Sequence, residues 1–171
     1  MYRIRLAAGD SLQARDYMDM AEIALQQHLP QLACDLMAQG YTAGVLGTGA
    51  EAPRQARLRA MAEKAAADRK ATSAADEQAA LAQSGGDALF LVGYNAVLSG
   101  QAEHGLALMQ QAITKGVSDP AVASLHLGLA QLQANQPKEA AATLGHITGT
   151  GPGYDIAQLW LLRLAQGQAP G

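Results

Sequence analysis

Between Asp87 and Gly116 the chain reads DALFLVGYNAVLSGQAEHGLALMQQAITKG, two apolar runs parted by Ser99, Gly100 and Gln101. In the first run Leu89, Val92, Gly93 and Ala96 recur at steps of three and four residues; in the second Gly105, Met109 and Ala112 do. Such steps place side chains on one face of an α-helix. A glycine accepts the positive φ of a tight reversal, so the pattern predicts two antiparallel helices joined at Gly100.

The pattern returns along the chain. Moved forward by 35 residues, Phe90 falls on Leu125, Val92-Gly93 on Leu127-Gly128, Gly100-Gln101 on Asn135-Gln136, Gly105 on Ala140 and Met109 on Leu144. A second step of 35 sets Leu125 on Trp160 and Leu127 on Leu162, in YDIAQLWLLRLAQG, which supplies a first helix only. At an offset of 72, Met20-Ala21 aligns with Val92-Gly93 and Ala33 with Gly105, leaving one repeat length of chain between. A single helix pair cannot bury its own apolar face, so the repeats are expected to stack.

Turn and cap residues agree with these limits. Asp10 with Gln13 reads as a capping box, and Asp87 and Asp119 as N-caps. Pro120 suits a first helical position, where its missing N–H has no partner to lose, and Pro30 and Pro137 each open a second helix. Gly47, Gly100 and Gly116 stand where helices are expected to stop.

The middle segment, EAPRQARLRAMAEKAAADRKATSAADEQAALAQSGG, has Leu58, Met61 and Leu81 as its only large aliphatics. It fits either a degenerate hairpin breaking near Lys70–Ser73 or one helix from Pro53 to about Gln83. The run Ser73–Asp76 is able to cap a second helix, which favours the hairpin. Arg54, Arg57 and Arg59 are offset by Glu51, Glu63, Asp68, Asp76 and Glu77, so this face is read as solvated rather than as a basic patch.

Composition narrows the class. The chain of 171 residues is rich in Ala, Leu and Gln, has one Phe and one Trp, and lacks runs of alternating β-branched residues; it is read as all-α. A net charge of −3 gives no reason to expect nucleic acid as partner. The longest apolar stretch, ALFLVGYNAVL, is broken by Gly93, Tyr94 and Asn95 and falls short of the roughly 18 residues that span a bilayer, so no membrane insertion is expected. MYRIRLAAGDS has two arginines but neither the apolar core nor the cleavage site of a signal peptide. The alternation in YRIRL resembles a chain leaving a preceding element, so Met1 is expected to be a cut within a larger protein. Cys34 is the sole cysteine and lies on an apolar helical face, which predicts a small buried thiol.

With these residues in place the chain resembles the tetratricopeptide repeat family. The motif reads Leu89-x-x-Val92-Gly93-x-x-Ala96 with Gly105-x-x-x-Met109 and Ala112. The following copy reads Ser124-x-x-Leu127-Gly128 with Ala140-x-x-x-Leu144, and the first reads Tyr17-x-x-Met20-Ala21-x-x-Ala24 with Ala33-x-x-x-Met37 and Gly40. Small residues let the helices of a pair approach, and large ones fill the space around them. The aromatic the family places near the end of the first helix is replaced by Ala24, Ala96 and Gln131, and the repeat is one residue longer than the family norm. The resemblance implies a right-handed α-α superhelix of helical hairpins. Its repeats are residues 10–47, 87–116 and 119–148, with a degenerate or inserted segment at 51–84 and a closing helix at 154–166, all in one domain. The middle segment and LHLGLAQLQANQPKEAAATL also resemble repeat segments of larger bacterial exported proteins, which would place the chain in the cell envelope.

The family binds protein partners in a groove lined by its first helices. Carried over position by position, the groove residues are Met18, Glu22 and Leu25, then Phe90, Tyr94 and Val97, then Leu125, Leu129 and Leu132, with Trp160 last. The only Phe and the only Trp thus share one repeat position, in a row Met18–Phe90–Leu125–Trp160. Two readings stay open: a groove for an apolar protein or peptide segment, or a strip covered by other chain, including a second copy in a homo-oligomer. Members that clamp a terminal carboxylate need Lys and Asn in the groove, where this chain has Phe90, Tyr94, Leu125 and Leu129. Catalytic residues, metal and cofactor are not expected. His28, His104, His126 and His146 fall at different repeat positions, and none makes an H-x-x-x-H or Glu-x-x-His pair. The glycine-rich runs Gly47–Ala50 and Gly149–Gly153 carry no Lys-Ser/Thr and are read as turns.

Overall fold

The computed structural model describes residues 11–167. Among them are eight helices and no strand, so the protein is all-α: α1 Ala14–Gln26, α2 Pro30–Thr42, α3 Ala52–Ala82, α4 Asp87–Leu98, α5 Ala102–Lys115, α6 Pro120–Gln133, α7 Pro137–Gly145 and α8 Pro152–Ala165. The expectations for Met1 and for Asp10 lie outside the described residues. The chain divides into two compact units, with the boundary between Ala74 and Ala75, inside α3. The physical reason lies in α3 itself: from Glu63 to Ala79 it buries no side chain, so it adds nothing to a common core over that stretch.

In the N-terminal unit α1 packs on α2. Gln13 is the N-cap of α1, and its backbone N–H donates to Asp16 Oδ2 at 2.9 Å. α1 buries Tyr17, Met20, Ala21 and Ala24, and α2 buries Ala33, Leu36, Met37 and Gly40. The chain reverses between them at His28, whose φ is +58°, and Pro30 opens α2 as its sequence position predicts. A Cβ on Gly40 would stand 2.5 Å from Leu46 Cδ1, so glycine is what lets the following loop fold back onto α2. The start of α3 is tied to this unit by Gln55, buried, whose Oε1 accepts the Gly47 N–H at 2.7 Å. Arg54 Nη2 donates to Glu22 Oε1 at 3.2 Å, and the Arg59 guanidinium lies 5.1 Å from the Tyr41 ring centre.

The favoured hairpin in the middle segment is not what forms: α3 is one unbroken helix of 31 residues. The Ser73 hydroxyl donates to the Lys70 carbonyl at 3.0 Å, and that of Thr72 to the Asp68 and Arg69 carbonyls at 3.4 Å. Both hydroxyls are thereby spent inside the helix rather than capping a new one. With neither Gly nor Pro between Arg54 and Gln83 and many alanines, propensity carries the helix through, and exposed pairs Arg59–Glu63 and Lys64–Asp68 add a few tenths of a kcal/mol each. Arg54, Arg57 and Arg59 are exposed, as a solvated face requires.

In the C-terminal unit α4 packs on α5, α6 on α4, α5 and α7, and α8 on α6 and α7. The α4–α5 contact is a glycine crossing: a Cβ on Gly93 would lie 2.7 Å from the Gly105 carbonyl oxygen, and one on Gly105 2.5 Å from that of Gly93. The α6–α7 contact uses Gly128 against Leu144, which is fully buried and would stand 2.7 Å from an added Cβ. Gly128→Leu is therefore expected to cost about 1–3 kcal/mol by overpacking, read as a lowered urea midpoint; an unchanged midpoint would refute the shared register of the two pairs. Asp119 caps α6 as predicted, accepting the Val122 N–H at 3.0 Å. Asp87 does not cap α4, because the helix already includes it and Gly86 is the N-cap. The last two turns of the long helix are held by Lys115, whose Nζ donates to the Leu81 carbonyl at 2.7 Å, and by His104 Nε2 at 2.8 Å from Glu77 Oε2.

Candidate partner surface

The residues of the row inferred from the repeat register divide between the two units, Met18, Glu22 and Leu25 in the N-terminal one and the others in the C-terminal one. Phe90, Tyr94 and Val97 on α4, Leu125, Leu129 and Leu132 on α6, Trp160 on α8 and Met18 on α1 are all buried, none of them more than 9% exposed. Glu22 and Leu25 on α1 are half-buried, and Glu22 is engaged by Arg54. Within the C-terminal unit the equivalence of Phe90, Leu125 and Trp160 is thus one of burial. Tyr94 stacks on His126, ring centres 5.5 Å apart and planes 18° from parallel. The other histidines, His28, His104 and His146, are exposed. Gln131 on α6 is a buried polar residue whose Oε1 has no hydrogen-bond partner, the kind of group that costs about 1–3 kcal/mol. It stands at one of the positions where the family resemblance asks for an aromatic ring.

Large apolar side chains reach the surface elsewhere: Ile23, Met61, Leu81, Val122, Leu159 and Leu162 are exposed. Leu159 and Leu162 lie one turn apart on α8, which makes them neighbours on one face. The register reasoning missed them by taking Trp160 as the contribution of this helix. The signal was present in the run Leu159–Leu162, whose four consecutive apolar residues cannot all face one side of a helix.

The charged and nucleophilic groups are arranged for structure. Cys34 is half-buried rather than fully buried; burial first, then the neighbouring carboxylates of Asp35 and Glu63, push its thiol up, away from the reactive thiolate. Asp87 accepts the Ser118 hydroxyl and, at 2.9 Å, the Ser118 backbone N–H, tying the loop before α6 to the start of α4. The hydroxyl first and the N–H second hold its carboxyl below the usual carboxylate range. A depressed folded value gives stability that is present above the unfolded pKa of about 4 and is lost as pH falls through the folded one. Asp87→Asn is thus expected to make the urea midpoint slightly less sensitive to pH below about 5 than in the wild type; equal acid sensitivity in the two proteins would overturn this role.

Among the described residues no group of three His, Cys, Asp or Glu side chains gathers as a metal site needs, and no helix is long and apolar enough to cross a membrane. Set beside known proteins, the chain matches no family model, and no curated protein or solved structure matches it either.

Proposed function

We propose that this chain is a non-catalytic scaffold for protein–protein interaction, built from tetratricopeptide-like hairpins stacked as a right-handed α-α superhelix within a larger chain or assembly. The observation that supports it is repetition of one packing unit: α4 with α5 and α6 with α7 each close on a helix glycine, Gly93 and Gly128, one repeat apart. α8 then packs on α6 and α7 as α6 packs on α4 and α5. Units that add by the same contact make an extended surface whose use is to hold other chains. With Phe90, Tyr94, Leu125 and Trp160 buried, partners are expected to dock on the outer helix faces rather than along that row.

Self-association is the second reading, and the exposed leucines of α8 favour it over the buried strip. The scaffold reading is tested by the native mass of the protein in an extract of its own cells, by sizing chromatography with immunodetection. A mass well above that of the purified protein, reduced by high salt or mild detergent, supports it. Elution at the purified protein's own mass under gentle lysis would sink it.

A further inference from the structure

The long helix α3 is anchored at its two ends and not between them. At its start Gln55, Leu58 and Ala62 are buried, Gln55 Oε1 accepts the Gly47 N–H, and Arg54 reaches Glu22. At its end Ala80 is buried, Lys115 donates to the Leu81 carbonyl, and His104 lies against Glu77. From Glu63 to Ala79 no side chain is buried. These are about five turns resting on their own propensity, near the length at which isolated helices are marginal in water. Their charges do not help. The first turn of α3 holds no acidic residue and the last no basic one, against the sense of the helix dipole. The pairs Arg59–Glu63 and Lys64–Asp68 put the cation before the anion, the weaker of the two orders. Thr72 and Ser73 turn their hydroxyls back onto carbonyls of the preceding turn, which weakens a helix slightly.

In the middle of this stretch stand Arg69 and Lys70, the only two adjacent basic residues in the chain. The boundary between the two compact units, Ala74 to Ala75, follows within two turns. We propose that Arg69–Lys70 is a proteolytic processing site, recognised by an endopeptidase that cuts after paired basic residues and so separates the two units. A helix hides its backbone in its own hydrogen bonds, and a protease takes its substrate extended, so the cut needs a local opening. The middle of α3 supplies one, because opening it gives up no buried side chain and leaves both anchored ends in place. The step is a plain hydrolysis. Water adds to the Lys70 carbonyl carbon, the bond to the Ala71 nitrogen breaks, and that nitrogen takes a proton and leaves as a new amino terminus. Anchoring also explains why other basic residues of the helix are poorer targets. Arg54 adjoins the buried Gln55, Arg57 and Arg59 flank the buried Leu58, and Lys64 follows the buried Ala62 by two residues. To open around any of them, buried side chains must leave the N-terminal core.

The test is limited digestion of the purified chain with trypsin under native conditions, the fragments being identified by intact mass. The first cut beyond residue 10 is expected after Arg69 or Lys70, with the helical far-UV signal of the digest largely kept. A first cut at any other Lys or Arg, or a digest that loses its helical signal, would overturn the proposal. Local opening is separated from global unfolding by two variants. Ala75→Gly changes an exposed residue five positions beyond the cut and lowers helix propensity there, so the cleavage rate is expected to rise about two- to fivefold. Gly128→Leu strains the α6–α7 contact and leaves the middle of α3 alone, so it is expected to leave the rate unchanged. A rate that ignores Ala75→Gly, or that climbs in Gly128→Leu as the urea midpoint falls, would overturn the local opening.

Discussion

Replacing Trp160 with alanine is expected to lower the stability of the C-terminal unit by about 3–5 kcal/mol, the range for deleting a buried large aromatic. Trp160 is 4% exposed on α8, beside Ala157, which is fully buried one turn earlier. Removing the indole leaves a void that a 14-residue helix packed on α6 and α7 cannot close without moving. The measurement is urea unfolding followed by far-UV circular dichroism, since the chain's only tryptophan is the residue removed. With two units present, the transition of the C-terminal one is what should move while the other stays. A loss within about 0.5 kcal/mol, as for an ordinary surface substitution, would restore the open-groove reading of this position. Trp160 is for the same reason a poor probe of any surface: a charge placed there tests the core.

The helices and their pairing were legible because both follow from local rules. Pro30, Pro120 and Pro137 open helices where a missing N–H is harmless, and Gly100 and Gly116 take positive φ just after α4 and α5; Gly47, expected to stop a helix, has positive φ too but lies in the loop five residues beyond Thr42, where α2 ends with Ala43 as its C-cap. The glycines at a fixed spacing located the crossings, because only a residue without Cβ permits them. Less legible was the fate of a helix with little to bury. In α3 the two readings differ by a few hydrogen bonds of Thr72 and Ser73, and a hydroxyl three or four residues beyond a carbonyl serves the unbroken helix as readily as a cap. The boundary between the two units falls in the same helix, for the same want of apolar side chains.

The candidate surface was the least legible part, for a reason specific to stacked helices. Periodicity says which residues share a helix face, but each face of an inner helix meets some neighbour, and repeat position alone does not separate a lining residue from a core one. Phe90 and Trp160 share a position because both are packed. Leu159 and Leu162 differ from Leu89 and Leu127 in having no helix over them among the described residues, a property of what lies beside α8 and not of its own residues.

The glycine crossing of α4 and α5 supplies a test in which helix propensity and packing have opposite signs. Alanine is the better helix former by roughly 0.5–1 kcal/mol, so a helical glycine that touches nothing should be improved by it. Gly145, at the end of α7, has no heavy atom within 4 Å of an added Cβ and negative φ; Gly145→Ala is expected to be neutral or stabilising by up to about 0.5 kcal/mol. Gly105 in α5 is the opposite case. Its Cβ would lie 2.5 Å from the Gly93 carbonyl oxygen, 2.6 Å from the Val97 nitrogen and 2.7 Å from Val97 Cγ2, two of which are backbone atoms of α4 that no rotamer change relieves. Relief then requires α5 to move off α4, which opens the fully buried Leu89, Met109 and Ala112 together. Gly105→Ala is therefore expected to cost about 2–3 kcal/mol, the upper part of the overpacking range, despite its propensity gain. Thermal and urea unfolding of the two alanine variants side by side decides the matter. Opposite signs mean that the close approach of α4 and α5 governs this pair; two small gains of the same sign would mean that the helices do not cross at Gly93 and Gly105.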